Sequence, residues 1–183
     1  MPLPPLTFRN QPMLTWPNIH LYINHFPVIL SVLGLGAAIG ALIFRRRGLW
    51  LYAMGTLALA GAVVFPVRFS GDQADHALRD PWYIKQDAIQ AHDDASLYAL
   101  ICLLLVGAVS AYGLWRALKR PQEEIPAWMR AAVLIGGIFC ASIVGRVAYL
   151  GGKIIHEAPV LGLPNPPANL PPGIAAPPAP PEP

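Results

Sequence analysis

The sequence is poor in charge and in cysteine, and both shortages exclude classes of protein. Only 13% of its 183 residues are charged while 55% are hydrophobic, which is apolar for a soluble domain of this size. The two cysteines, Cys102 and Cys140, form neither a CxxC nor a CxxCH pattern, so covalent c-type haem attachment and a CxxC zinc site have no support. We interpret both as small hydrophobic residues at helix interfaces.

Three further patterns are missing. No serine stands in a context that would activate it as a nucleophile, which argues against a self-contained hydrolase. The basic clusters are explained by membrane topology, so no nucleic-acid surface is indicated. The first 17 residues contain no apolar stretch, and we expect no cleavable signal peptide.

Long apolar runs dominate what is present. Each is long enough for a helix of about 20 residues to cross about 30 Å of hydrocarbon, and none shows the strict alternation of a transmembrane β-strand. They cover roughly residues 19–44, 49–67, 95–118 and 127–155. We expect the second span to stop at Pro66 and the third to begin after Asp94, where acids favour a helix N-terminus. The pattern predicts an all-α integral membrane protein, an up-down bundle of four transmembrane helices.

Basic residues concentrate at the two short links between runs. They are Arg45, Arg46 and Arg47 at the first link, and Arg116, Lys119, Arg120 and Arg130 around the second. By the positive-inside rule both links are cytoplasmic, so both termini are periplasmic. We therefore predict a multi-pass protein of the bacterial inner membrane.

The predicted bundle, residues 18–157, is flanked by two segments of different composition. Residues 1–17 are expected to be extended. In the tail, residues 158–183, eleven of 26 residues are proline, which favours polyproline II and provides no core. We expect this tail to lie on a partner protein, which would make the chain a subunit of a larger membrane complex.

The histidines suggest a cofactor site. All five fall on the predicted periplasmic side: His20, His25, His76, His92 and His156. His25 is about 9 Å into its helix and precedes Pro27, whose missing N–H favours a kink, and an ionisable residue at that depth is a functional-site hypothesis. Because helices one and three are diagonal in an up-down bundle, His25 and His92 could clamp a b-type haem iron from both faces.

This pairing requires the helix of His92 to begin early, and a rival exists. His20 with His156 would suit a second haem or a shallower site. For His76, in a polar loop, we expect a surface role only.

Two arginines are candidate partners of haem propionates. Arg146 lies inside span four and Arg68 at the periplasmic end of span two. The alternative for both is that they snorkel to the interface or pair with an acid, with Asp72, Asp93 and Asp94 as candidates.

Three stretches carry a resemblance to a known family: "IHLYINHFPVI", "SGDQADHAL" and "HDDAS". Over roughly residues 18–150 the chain resembles a group of small bacterial four-helix membrane proteins of uncharacterised function. Members show H-x-x-x-N-H-F-P in the first helix, a "TGE-AE"-like segment after the second, and "HE-x-A-A" entering the third. Here Asp93 replaces the glutamate after the histidine. Some relatives are joined to Rieske iron–sulfur domains, which implies a redox setting.

Three functions compete at this point. The first is a cytochrome b-like subunit of a respiratory or photosynthetic complex, binding haem b for electron transfer near the periplasmic face. The second is a structural or assembly subunit without a cofactor. The third is a periplasmic-side metal-binding protein that would use His20, His25, His92 and neighbouring acids.

Overall fold

The structure, a computed structural model, is all-helical over the residues that it describes, 15–78 and 86–156. For four residues it describes the backbone alone: 77, 78, 155 and 156. The helices are α1 Trp16–Ile23, α2 His25–Phe44, α3 Arg47–Leu78, α4 Gln86–Lys119 and α5 Ala127–His156. Four spans within these residues are long and apolar enough to cross a membrane, the first formed by α1 and α2 together. The predicted all-α, four-span architecture is confirmed.

The Pro-rich tail cannot be compared with its prediction, because residues 157–183 lie outside the described part of the chain. The same holds for residues 1–14 and 79–85.

The first span breaks at Asn24, between α1 and α2. Pro27 has no N–H to offer the carbonyl of Ile23, so the regular helical hydrogen bond cannot form across this point. The break lets α1 pack against α3, while α2 continues through the bundle. Asn24 keeps right-handed helical dihedrals, φ −65° and ψ −19°, and the kink expected at Pro27 stays a prediction.

Two predicted helix boundaries are wrong, and both errors shorten a helix. We expected the second span to stop at Pro66, but α3 continues to Leu78 with Pro66 inside it. We expected the third helix to start after Asp94, but α4 starts at Gln86. Apolar runs mark the part of a helix that lies in hydrocarbon, whereas these two helices extend beyond it. As a result His92 lies in the second turn of α4.

The bundle has a square arrangement. α2 packs on α3 and α5, α4 packs on the same two helices, and α2 and α4 are therefore diagonal, as predicted for spans one and three. The backbones of α3 and α4 approach closely at Gly61 and Gly107. A Cβ on Gly61 would lie 2.8 Å from the carbonyl oxygen of Leu103 and 2.9 Å from the Cα of Gly107, so only glycine fits at this contact.

The end of the bundle that carries the basic links is tied together by Arg47. Its guanidinium donates to the carbonyl oxygens of Ala117 at 2.7 Å, Arg120 at 3.3 Å and Glu123 at 2.5 Å. The first two carbonyls belong to the last turn of α4 and its end, where helical acceptors lack partners within the helix. One arginine thereby joins the first link to the second.

Candidate functional site

At the opposite end of the bundle, two histidine rings meet. His20 of α1 and His92 of α4 have ring centroids 6.5 Å apart, with ring planes at 84°. Both side chains are half-buried. The neighbouring helices α3 and α5 contact these rings at Val67 and Val147. Each valine is about 20 residues, or roughly 30 Å, from the first residue of its helix, which lies at the basic end of the bundle. The pair therefore lies about one hydrocarbon thickness from the arginine-rich links.

A backbone carbonyl and a serine fix the ring of His20. Its Nδ1 lies 3.2 Å from the carbonyl oxygen of Val67 and 3.0 Å from Oγ of Ser70, and the Ser70 hydroxyl donates to the same carbonyl at 2.8 Å. A carbonyl oxygen only accepts, so Nδ1 carries the proton. In the neutral ring the lone pair is then on Nε2.

His92 is held in the same way by another helix. Its Nδ1 donates to the carbonyl oxygen of Val147 on α5 at 3.0 Å. The lone pair of the neutral ring is again on Nε2. Metal-ligating histidines show this pattern, since the donated Nδ1–H fixes the tautomer and the orientation of the ring.

Each ring also rests on a glycine. A Cβ added to Gly71 would lie 3.0 Å from Cε1 of His20, and a Cβ added to Gly151 would lie 3.1 Å from Cε1 of His92. In both helices the glycine follows the accepting valine by four residues, which is one turn. The two sites therefore share the pattern Val-x-[Phe/Tyr]-x-Gly, read as "VRFSG" and "VAYLG".

Sequence reasoning missed these supporting residues and the short repeat that contains them. The equal spacing from valine to glycine near the ends of two apolar runs was the available signal. It was hidden because the expected end of the second span at Pro66 placed the first copy in a loop. Each copy belongs to one helical hairpin, and the hairpin's first helix supplies the histidine.

Arg68 connects α3 to α4 beside the histidines. It forms ion pairs with Asp72 at 3.0 Å and Asp93 at 2.5 Å, and it donates to Oγ of Ser96 at 2.7 Å. Such pairing with acids is the predicted alternative to a contact between Arg68 and a haem propionate. Because Asp93 directly follows His92 in the sequence, its ion pair with Arg68 holds this turn of α4 against α3.

His25 does not face His92, so the expected geometry of that pair is wrong. His25 is exposed and its Nδ1 donates to the carbonyl of Leu21 in its own turn, at 3.0 Å. His20 and His25 are five residues apart, which places them about 140° apart around a helix, so both cannot face the bundle interior. His20 takes the position that we assigned to His25. Whether these histidines bind haem stays a prediction.

The remaining expected site residues are Arg146 and His156, whereas His76 was expected to have a surface role only. Arg146 is exposed on α5, one residue before Val147, and His76 is exposed near the end of α3. His156 is the last residue of α5, and its side chain lies outside what is described. The rival pairing of His20 with His156 is therefore neither supported nor excluded by the geometry.

The described residues hold no group of three or more His, Cys, Asp or Glu side chains placed to bind one metal ion. The expected cluster of His20, His25, His92 and acids is consequently not assembled there. The site within these residues is a pair of imidazoles.

Comparison with known proteins identifies a family for most of the chain. No curated protein and no solved structure matches it. Residues 17–161, which include the ring pair and all of the four spans except Trp16, match the family described as "Predicted membrane protein (DUF2231)". The match covers well over half of the sequence, so the chain belongs to this family of predicted membrane proteins.

Proposed function

We propose that the protein is a membrane subunit of a larger redox complex, and that it binds one b-type haem between His20 and His92 for electron transfer. The observation that carries the proposal is the ring pair. Two imidazoles from different hairpins have ring centroids 6.5 Å apart with nearly perpendicular ring planes, and the Nδ1–H of each is committed to a backbone carbonyl.

The distance between the rings suits two bonds to one iron. Two iron–nitrogen bonds of about 2 Å, together with the distance from each nitrogen to its ring centre, separate the centroids by roughly 6 Å. The observed separation is 6.5 Å. An iron held from both faces has no open position, which favours electron transfer over oxygen chemistry.

The number of ligands also favours haem over a bare ion. A structural zinc site takes four protein ligands and a catalytic one takes three. Haem iron needs only two from the protein because the porphyrin supplies the other four. A site of two imidazoles therefore matches the requirement of haem.

Arg146 is the proposed propionate partner. It is exposed one residue before Val147, the residue whose carbonyl holds His92. A guanidinium is a natural partner of a carboxylate, and the closeness of Arg146 in sequence to Val147 supports this role. Arg68 already has two carboxylates, so a propionate there would compete with Asp72 and Asp93.

Membrane orientation and partners complete the proposal. With the basic links in the cytoplasm of a bacterium, the ring pair lies at the periplasmic side of the inner membrane, as the positive-inside rule predicts. The Pro-rich tail, residues 158–183, would contact the other subunits of the complex.

A reduced-minus-oxidised visible spectrum of the purified full-length protein tests the haem. A sharp b-type α-band is expected, and His20→Ala and His92→Ala are each expected to abolish it. His25→Ala is the matched control, since that ring is exposed and its hydrogen bond goes to the carbonyl of Leu21 in the same span. Absence of haem from the wild type, or full haem in both His20→Ala and His92→Ala, would refute the assignment. A cofactor-free structural subunit would then be the better description.

A further inference from the structure

A second pair of potential ligands lies deeper in the bundle, at the contact between α4 and α5. The sulfur atoms of Cys102 and Cys140 are 3.5 Å apart, and both thiols are free. Cys140 is fully buried and Cys102 is half-buried. Cys102 follows His92 by ten residues on the same helix, about 15 Å, so the thiols and the ring pair are separate sites.

The surroundings of the thiols contain apolar side chains. Cys140 belongs to a buried cluster with Ala99, Leu103 and Val144, and Cys102 packs against it. Sulfur ligands without oxygen ligands select soft metal ions such as Cu(I), whereas Mg²⁺ and Ca²⁺ require oxygen. A pair of ligands is sufficient for Cu(I), which is commonly two-coordinate, but falls short of the four that a structural zinc site takes.

We propose that Cys102 and Cys140 bind one soft monovalent cation of the Cu(I) class between α4 and α5, inside the membrane. This site is independent of the haem, because neither thiol lies at the ring pair.

The charge balance of the site suits its apolar surroundings. One thiol binds Cu⁺ as a thiolate and its proton passes to the aqueous buffer as copper binds, and the other binds as a neutral thiol. The complex then has no net charge, and the copper is neither oxidised nor reduced. Loss of both protons would leave one negative charge in hydrocarbon, which is costly.

The geometry needs only a small adjustment. Two metal–sulfur bonds of about 2.2 Å in a line would place the sulfur atoms a little over 4 Å apart. The present separation is 3.5 Å, so the sulfurs must move apart by less than about 1 Å. Rotation of the half-buried Cys102 side chain can supply this movement.

Competition between the full-length protein and a chromogenic Cu(I) chelator, under reducing and thiol-free conditions, measures the binding. One tightly bound Cu(I) per chain is expected in the wild type. Cys102→Ala and Cys140→Ala are each expected to weaken it by at least about tenfold, since even loss of an outer partner of a metal ligand costs that much. The control is Met54→Leu, which removes a sulfur from the other buried cluster and should leave binding unchanged.

Two further measurements keep the result interpretable if a cysteine variant folds poorly. In the unaltered protein, Cu(I) should protect two thiols from a membrane-permeant maleimide, and X-ray absorption should show sulfur neighbours. Retention of Cu(I) by both cysteine variants, or a copper shell of nitrogen alone, would overturn the proposal. So would loss of Cu(I) in His20→Ala with retention in Cys140→Ala. A haem-free protein that binds Cu(I) at sulfur would refute the haem and leave the thiol site standing.

Discussion

The glycine under each histidine ring gives a sharp prediction, because replacing it disturbs the ring without removing any polar group. In Gly151→Ala, the new Cβ would lie 3.1 Å from Cε1 and 3.2 Å from Nδ1 of His92. These contacts are too close, so the ring must move away by a few tenths of an ångström. The Nδ1–H bond to Val147 starts at 3.0 Å and is weakened by this movement.

The change in the free energy of unfolding of Gly151→Ala is the sum of a stabilising and two destabilising contributions. Replacing a helical glycine by alanine gains about 1 kcal/mol in helix propensity. Weakening one hydrogen bond costs about 1 kcal/mol, and overpacking adds a cost of similar size. We therefore expect the unfolding free energy of Gly151→Ala to stay within about 1 kcal/mol of the wild type. Haem affinity should nevertheless fall by about tenfold or more, as happens when a ligating histidine loses its supporting partner.

The matched control is Gly145→Ala on the same helix, where a Cβ meets nothing within 4 Å. It should gain a few tenths to 1 kcal/mol in stability, by helix propensity alone, and keep the wild-type haem affinity. Haem titration of the apoprotein with a thermal melt of each variant separates the two effects. In nitrogen-edited NMR spectra, faster exchange of the His92 Nδ1–H in Gly151→Ala would report the ring movement without haem.

Equal haem affinity and equal Nδ1–H exchange in Gly151→Ala and Gly145→Ala would refute this reasoning. A loss of stability well beyond 1 kcal/mol in Gly151→Ala would also contradict it, because the structure attributes the contact to a movable side chain and not to backbone.

Two further predictions concern the bundle as a whole. Gly61→Ala should destabilise the protein by about 1–3 kcal/mol in a thermal melt, because its Cβ would meet the backbone of Leu103 and Gly107, and an unchanged melting temperature would count against the close contact of α3 and α4. Single cysteines at Arg46 and Pro180 should be labelled from opposite sides of the membrane by an impermeant maleimide, since the positive-inside rule places them so, and labelling from one side would contradict the topology.

The spans could be predicted from the sequence, but the ends of the helices could not. Hydropathy reports where a helix meets lipid, and that signal is strong in all four spans. The apolar run of the second span stops at Pro66, but α3 continues to Leu78. The apolar run of the third span begins after Asp94, but α4 already starts at Gln86. The polar turns at these ends have helical hydrogen bonds and few apolar residues. Their helical state depends on packing against neighbouring helices, which hydropathy does not contain.

The choice between His20 and His25 shows the same limit. Depth favoured His25, because it lies further into the span. The direction of each side chain depends instead on its angle around the helix and on the packing of α1 against α3. A single sequence indicates that a proline will disturb the helix, but it does not fix the resulting rotation of the preceding turn. His20 lies on the face of the first span that meets His92, and His25 lies on an exposed face.

The position of the ring pair explains how a chain so poor in charge can maintain a polar site. The four spans are about 42–51 Å long, well beyond the roughly 30 Å of hydrocarbon, so their last turns reach the interfacial region. Arg68 with Asp72 and Asp93 can form ion pairs there at a smaller desolvation cost than at the membrane centre. The same ion pairs hold α3 to α4 beside His92, while the bundle beneath remains apolar. An interfacial position therefore permits the polar contacts that orient the imidazoles of His20 and His92.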